Sequence, residues 1–258
     1  MRSRLPSSLR HWPQGWISSY PDTREMEQLA EIGQLLSVWL LPVITAITLH
    51  EAAHGWAAEK LGDDTARRLG RVSFNPLRHI DPFGTLVLPG LLLLGSIMGG
   101  PKLIFGWAKP VPVAFHRLNN PKRDMIWVAL AGPGINIALA TGISLAMHLV
   151  HLMPGGNPAL WIWANFDNAL LVNVVLACFN MLPIPPLDGG RVVTGLLPDA
   201  LARRFARMER WGLVILLGII FAVPLLAEQV GIAINPLALV LLPMIDVVHA
   251  SILFVTGW

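Results

Sequence analysis

Residues 33–58 form an apolar stretch long enough to cross a bilayer, and His50, Glu51 and His54 stand inside it as HEAAH. A segment in hydrocarbon must be helical, because lipid offers no partner for backbone N–H and C=O groups. On a helix, positions i and i+4 share a face, so both imidazoles can reach one metal ion. Ionisable groups are costly at that depth and mark a functional site. Glu51, one residue after the first histidine, can stand beside an open coordination position and serve as general base. The chemistry asked for is metal-dependent hydrolysis inside the membrane.

The rest of the chain fits the same solvent. Only 14% of residues are charged, against about 25% in soluble domains. The fold expected is an all-α polytopic membrane protein, a helical bundle of about five spans. A polar leader over 1–24 is expected to be poorly ordered, ahead of a single membrane-embedded domain over 25–258. That domain has a core at 33–200 and additional spans at 211–256. The first span, 33–58, carries Pro42 as an expected kink. Spans follow at 125–152 and 168–182, then near 211–227 and 235–256. Between the first two lies GTLVLPGLLLLGSIMGG, residues 84–100, short and broken by Pro89, Gly90 and Gly95, so a re-entrant element is expected. A Pro-limited, strand-like stretch follows around Val111 to Phe115. Residues 153–166 read as a turn. No removable signal peptide is expected, since the basic opening lacks a following short apolar core.

A catalytic zinc needs three protein ligands and one open position. Asp188 is the best third ligand: it follows an apolar segment in PPLDGG and would be a costly charge without a cation. Gly189 and Gly190 are expected to let the backbone turn tightly beside the metal. Two histidines and one carboxylate also describe non-haem iron sites, but the adjacent Glu51 favours a zinc hydrolase. Asn136, in the small-residue run AGPGIN at 131–136, is an intramembrane amide that either bonds substrate or joins helices. Cys178, the one cysteine, reads as a small core residue, so neither a disulfide nor a thiolate cluster is available. His79 and His116 read as ordinary interfacial residues.

Apart from Arg2, Arg4, Arg10 and Arg24 in the leader and Lys60, the basic residues fall in three connections: 67–78, 102–123 and 191–210. They sit in short loops, which is membrane topology rather than a nucleic-acid footprint. If 84–100 re-enters, all three share one face, cytoplasmic by the positive-inside rule, at the cost of leaving the leader with Arg2, Arg4, Arg10 and Arg24 outside. The metal residues require the same arrangement. His50 lies about 25 Å along its helix from Gly33 at 1.5 Å per residue, and Asp188 falls at the trailing end of its own segment. The two share a depth only if their helices run parallel.

HEAAHGW, AGPGIN and FNMLPIPPLDGGRV, in that order and on separate apolar segments, resemble the site-2 protease family of intramembrane metalloproteases, as do LGRVSFNPLRHIDPFGTLVLP and FGWAKPVPV, which are similar to its short bacterial members. The likeness covers about residues 35–200. It implies a zinc enzyme cutting peptide bonds in or near a transmembrane segment of another protein. It further implies His50, His54 and Asp188 as ligands, Glu51 as the catalytic group and Asn180 as a contact for substrate backbone. A bacterial plasma-membrane protein with its site towards the cytoplasm is expected, without the PDZ or CBS domains many members carry. The rivals are a non-proteolytic zinc membrane protein, either transporter or inactive scaffold, and a membrane protease for prenylated proteins. Transport has no use for Glu51, and the latter class would take a downstream glutamate where this chain has Asp188.

Overall fold

The computed structural model describes residues 23–87, 90–91, 108–232 and 234–258, with side chains from residue 33 onward except at 85 and 86. The helices are α1 (Thr23–Lys60), α2 (Thr65–Arg68), α3 (Pro121–Val150), α4 (Asn157–Asn180), α5 (Asp188–Leu196), α6 (Asp199–Ala206), α7 (Glu209–Leu217), α8 (Val223–Gln229) and α9 (Pro236–Thr256). A π-turn over Gly218–Ala222 joins α7 to α8. Five helical segments are long and apolar enough to cross a membrane: Gly33–Lys60, Pro121–Val150, Asn157–Asn180, Glu209–Gln229 and Pro236–Thr256. The chain is thus a polytopic helical membrane protein. Most of the leader expected over 1–24, and most of the re-entrant element expected over 84–100, lie outside the described residues.

Helices α1, α3 and α4 form the central packing unit. Pro42 sits within an unbroken α1, and it cannot donate to the carbonyl of Val38. Asn168 of α4 supplies the missing donor, Nδ2 to Val38 O at 3.0 Å. One side chain therefore repairs the helix and fixes α4 against it. Helix α4 starts at Asn157, some ten residues before the turn over 153–166 was expected to end. Pro158 suits a first helical turn, and the polar side chains at the start of this helix find partners. Asn165 donates to Trp161 O within α4, and Asn168 serves Val38. Helix α9 seats its far end on α3 through Ser144 and Thr256, 2.7 Å apart. Cys178 is buried with Ala140, Leu170 and Val174, the small core residue expected.

The connection between α1 and α3 leaves and returns at one point. Asn119 N–H donates to Leu61 O at 2.8 Å, so α1 and α3 are antiparallel neighbours. Helix α4 runs back beside α3 and ends where α1 ends, giving the parallel pair that the metal residues require. Residues 111–115 were expected to be strand-like; 111–114 join no ladder among the described residues, and Phe115–Arg117 closes into a 3₁₀ turn. The reason is capture by side chains: Val111 N–H donates to Glu51 Oε2 at 2.7 Å and Ala114 N–H to Asp63 Oδ2 at 2.6 Å.

Asp63 is the joint of this end of the bundle. It is fully buried and also accepts from Thr65 N–H at 3.1 Å. Burial alone would raise its pKa, but the bonds from Thr65 and Ala114, with Arg117 nearby, hold it below the ordinary carboxylate range. A depressed folded-state pKa gives stability that is complete above the unfolded value, about 4, and is lost as pH falls through the folded one. Thermal unfolding of the detergent-solubilised protein should fall off below about pH 4. Asp63→Asn should flatten that dependence and cost roughly 1–3 kcal/mol at neutral pH. Parallel pH profiles for the two proteins would count against this role.

Candidate metal centre

The HEAAH turn lies near the C-terminal end of α1 and places both imidazoles on the face turned to α3. Their Nε2 atoms are 3.0 Å apart, with the rings nearly perpendicular at 84°. Asp188 opens α5, and the 181–187 turn carries it back beneath α1. Its Oδ2 lies 3.2 Å from Nε2 of His50 and 3.2 Å from Nε2 of His54. All three side chains are buried. Ligand atoms about 2.0–2.1 Å from a tetrahedral zinc stand about 3.3 Å apart, so the triangle is already close to zinc size.

The partners of the imidazole Nδ1 atoms show which ring nitrogen each histidine turns to the triangle. His54 Nδ1 lies 2.7 Å from Val128 O, which can only accept. His50 Nδ1 lies 2.6 Å from Asn136 Oδ1. The Asn136 amide is fixed the same way round, because its Nδ2 donates to Asn173 Oδ1 at 2.7 Å and to Ala46 O at 3.3 Å. Both histidines are therefore set to carry a proton on Nδ1, and as neutral imidazoles they turn an Nε2 lone pair inward. Asp188 Oδ2 faces them and has no hydrogen-bond donor of its own. Two ring nitrogens and a carboxylate oxygen thus converge in a buried space, an arrangement that suits a divalent cation. Nitrogen and oxygen donors without thiolate suit zinc, and the cluster fits a zinc site.

Small residues let the elements close on the centre. A Cβ on Gly132 of α3 would run into Nε2 of His54 and stand 2.6 Å from Cε1 of His50. A Cβ on Gly189 would collide with the carbonyls of Met181 and Leu182, and one on Gly190 would lie 2.7 Å from Pro185 N. This corrects the expectation of a tight glycine turn. Neither Gly189 nor Gly190 has positive φ, both belong to α5, and their function is close approach.

Glu51 is half-buried beside the triangle, with Oε2 held by Val111 N–H at 2.7 Å. Asn136, read from sequence as substrate contact or helix joint, sits fully buried between α1, α3 and α4 and holds His50. Asn180 is the last residue of α4, and its Nδ2 donates to Leu176 O at 3.0 Å within that helix. Arg191, one turn after Asp188, approaches the carboxylate's other oxygen at 3.8 Å. Val128 O, Asn173 and Val111 N–H were not legible in the sequence, two of them being backbone groups that leave no residue signature. Gly132 had a signal in AGPG, whose small residues forecast close packing without saying against what.

Comparison with known proteins agrees with this centre. The profile of peptidase family M50 matches residues 146–225. YwhC of Bacillus subtilis (strain 168), named as a zinc metalloprotease, is 34% identical over 196 residues, covering 74% of this chain and 83% of that protein. Rip2 of Mycolicibacterium smegmatis, also named as a zinc metalloprotease, is 28% identical over 209 residues, 78% of this chain and 71% of that one. Rip2 of Mycobacterium tuberculosis (strain H37Rv) is 29% identical over 208 residues, 78% and 72% of the two chains. No solved structure gives a significant match.

Proposed function

The chain belongs to peptidase family M50 and is a membrane zinc metalloprotease, and on that premise we propose that it is an intramembrane endopeptidase whose general base is Glu51. Its substrates are membrane proteins cut in or near a transmembrane segment. The observation that carries this reading is the buried triangle of His50, His54 and Asp188, with the Glu51 carboxylate beside it, near the end of a membrane-spanning helix.

Zinc, when held by the three side chains, supplies the positive charge that acidifies a water and stabilises a developing oxyanion. The protein does the rest. Val128 O and Asn136 Oδ1 hold the imidazoles in the tautomer that presents Nε2. Glu51 keeps Oε2 on Val111 N–H and takes the water proton at Oε1, then passes it to the leaving amine. A helical substrate hides its amide groups, so the scissile segment must unwind first. Val113 N–H and C=O have no hydrogen-bond partner among the described residues, and they support pairing of an extended substrate by strand addition. Val113→Pro should lower cleavage about tenfold or more, and normal cleavage by that variant would remove the pairing from the mechanism.

The basic connections at 67–78, 102–123 and 191–210 support a cytoplasmic-facing centre in a bacterial plasma membrane. The proposal is tested in proteoliposomes with a single-span test substrate. Stripping zinc by chelation should abolish cleavage and readding zinc should restore it. A zinc-loaded protein that cuts none of a panel of membrane-inserted substrates would point instead to a non-proteolytic zinc protein.

A further inference from the structure

Arg71 is buried, at 8% exposure, in the connection that follows α2. Among the described residues no carboxylate lies within ion-pair distance of it, and its Nε has no hydrogen-bond partner. Burial holds its guanidinium below the usual arginine range, and the charge of Glu51 opposes that drop. A buried arginine without a directly paired anion is costly, so what it holds matters.

It holds the segment that touches Glu51. Arg71 Nη2 donates to Lys109 O at 2.7 Å and lies 3.4 Å from Pro110 O. Lys109 N–H donates to His79 O at 2.9 Å. Pro110 has no N–H, and the next donor along the chain is the Val111 N–H on Glu51. Residues 109–111 thus form a strap whose free end grips the carboxylate and whose fixed end is fastened by Arg71 and the His79 carbonyl. His79, expected at the interface, is buried here with Nε2 3.0 Å from Ser73 O. The strap also lies tight on α1. A Cβ on Gly55 would stand 2.9 Å from Val72, next to Arg71, and 3.1 Å from Val111. Glycine after the second histidine is what lets both segments close over the helix.

We propose that Arg71 is a positioning residue for the peptidase reaction: by clamping the Lys109 and Pro110 carbonyls it keeps the Val111 N–H on Glu51 Oε2 and so leaves Oε1 directed at the reacting water. This rests on Glu51 as the base. Arg71 touches neither metal ligand nor reacting atoms and works through the strap. A lysine at 71 can donate to one carbonyl and restores part of the clamp; a glutamine restores little, because its shorter side chain cannot span to both oxygens.

The full chain is assayed in proteoliposomes on a single-span substrate as wild type, Arg71→Gln and Arg71→Lys, with zinc content, thermal unfolding and exchange of the Val111 amide measured on each. The Gln variant should lose kcat by about 10- to 100-fold with KM within threefold, zinc at one per chain and unchanged unfolding, while the Lys variant recovers part of that loss and stays about threefold or more below wild type. Val111 N–H, slow to exchange in wild type, should exchange faster in Arg71→Gln. Wild-type kcat in Arg71→Gln, a loss confined to KM, or a loss that tracks zinc or unfolding would overturn the proposal. If the Gln variant does not fold, Arg71→Lys decides: kcat lowered threefold or more with zinc intact supports the clamp, and wild-type kcat refutes it. A wild-type enzyme that cuts nothing would sink the protease reading separately. The exchange measurement still judges the strap in that case, because fast Val111 exchange in wild type means the clamp does not exist.

Discussion

Glu51→Gln should keep one zinc per chain and lose cleavage by roughly 1,000- to 10,000-fold. The substitution is close to isosteric, and the glutamine carbonyl oxygen can still accept the Val111 N–H that Glu51 Oε2 accepts. The strap over 109–111 therefore stays in place, and so do the imidazoles, whose Nδ1 partners are Val128 O and Asn136 Oδ1. What disappears is the ability to take a proton from water. Zinc content and cleavage measured on the same preparation separate the outcomes. Zinc lost together with cleavage would make Glu51 a ligand, and cleavage at the wild-type rate would mean that another group is the base.

Gly132→Ala should disrupt the centre with a single methyl. The added carbon would meet His54 Nε2 and lie 2.6 Å from Cε1 of both His50 and His54, atoms fixed by bonds on their opposite edges. Relief requires α3 to move off α1 or the imidazoles to leave the triangle, and either changes the ligand spacing. Metal affinity should fall by about 10- to 100-fold, the range found when the supports of ligating histidines are removed, and cleavage should fall with it. Gly134→Ala is the control. It lies in the same helix, two residues on, with nothing within 4 Å of its added carbon. That variant should keep full zinc and activity and gain up to about 1 kcal/mol from helix propensity. Equal loss in both variants would mean that the glycines serve helix bending and have no specific relation to the histidines.

Chemistry that is local in sequence was readable. That His50 and His54 share a face needed only helix periodicity, and the cost of an unpaired charge after an apolar segment was the signal that Asp188 would meet them in one cluster. The five spans followed from hydropathy because lipid leaves backbone no alternative to helix. What failed depended on partners distant in the chain. The start of α4 was missed because its polar first turns read as a connection until Trp161 is seen to donate to Ser37 Oγ on α1 at 3.0 Å. The stretch from Val111 has strand composition, but two carboxylates from the α1 end, Glu51 and Asp63, take its amide groups before any ladder forms. Gly189 and Gly190 carry the composition of a tight turn, while the reason for them is a carbonyl wall contributed by residues 181–185. Asn136 was open between two roles, and only the chain of bonds through Ala46, Asn173 and His50 shows it joining helices and orienting an imidazole together.

X-ray absorption at the zinc edge, on the full chain loaded with one equivalent of metal in lipid, addresses the buried triangle itself. Two imidazole nitrogens and oxygen donors at about 2.0–2.1 Å, with no sulfur, are expected, and Asp188→Ala should lose oxygen intensity together with affinity. A sulfur-containing shell, or a spectrum unchanged when Asp188 or His54 is removed, would place the metal elsewhere and contradict the centre described.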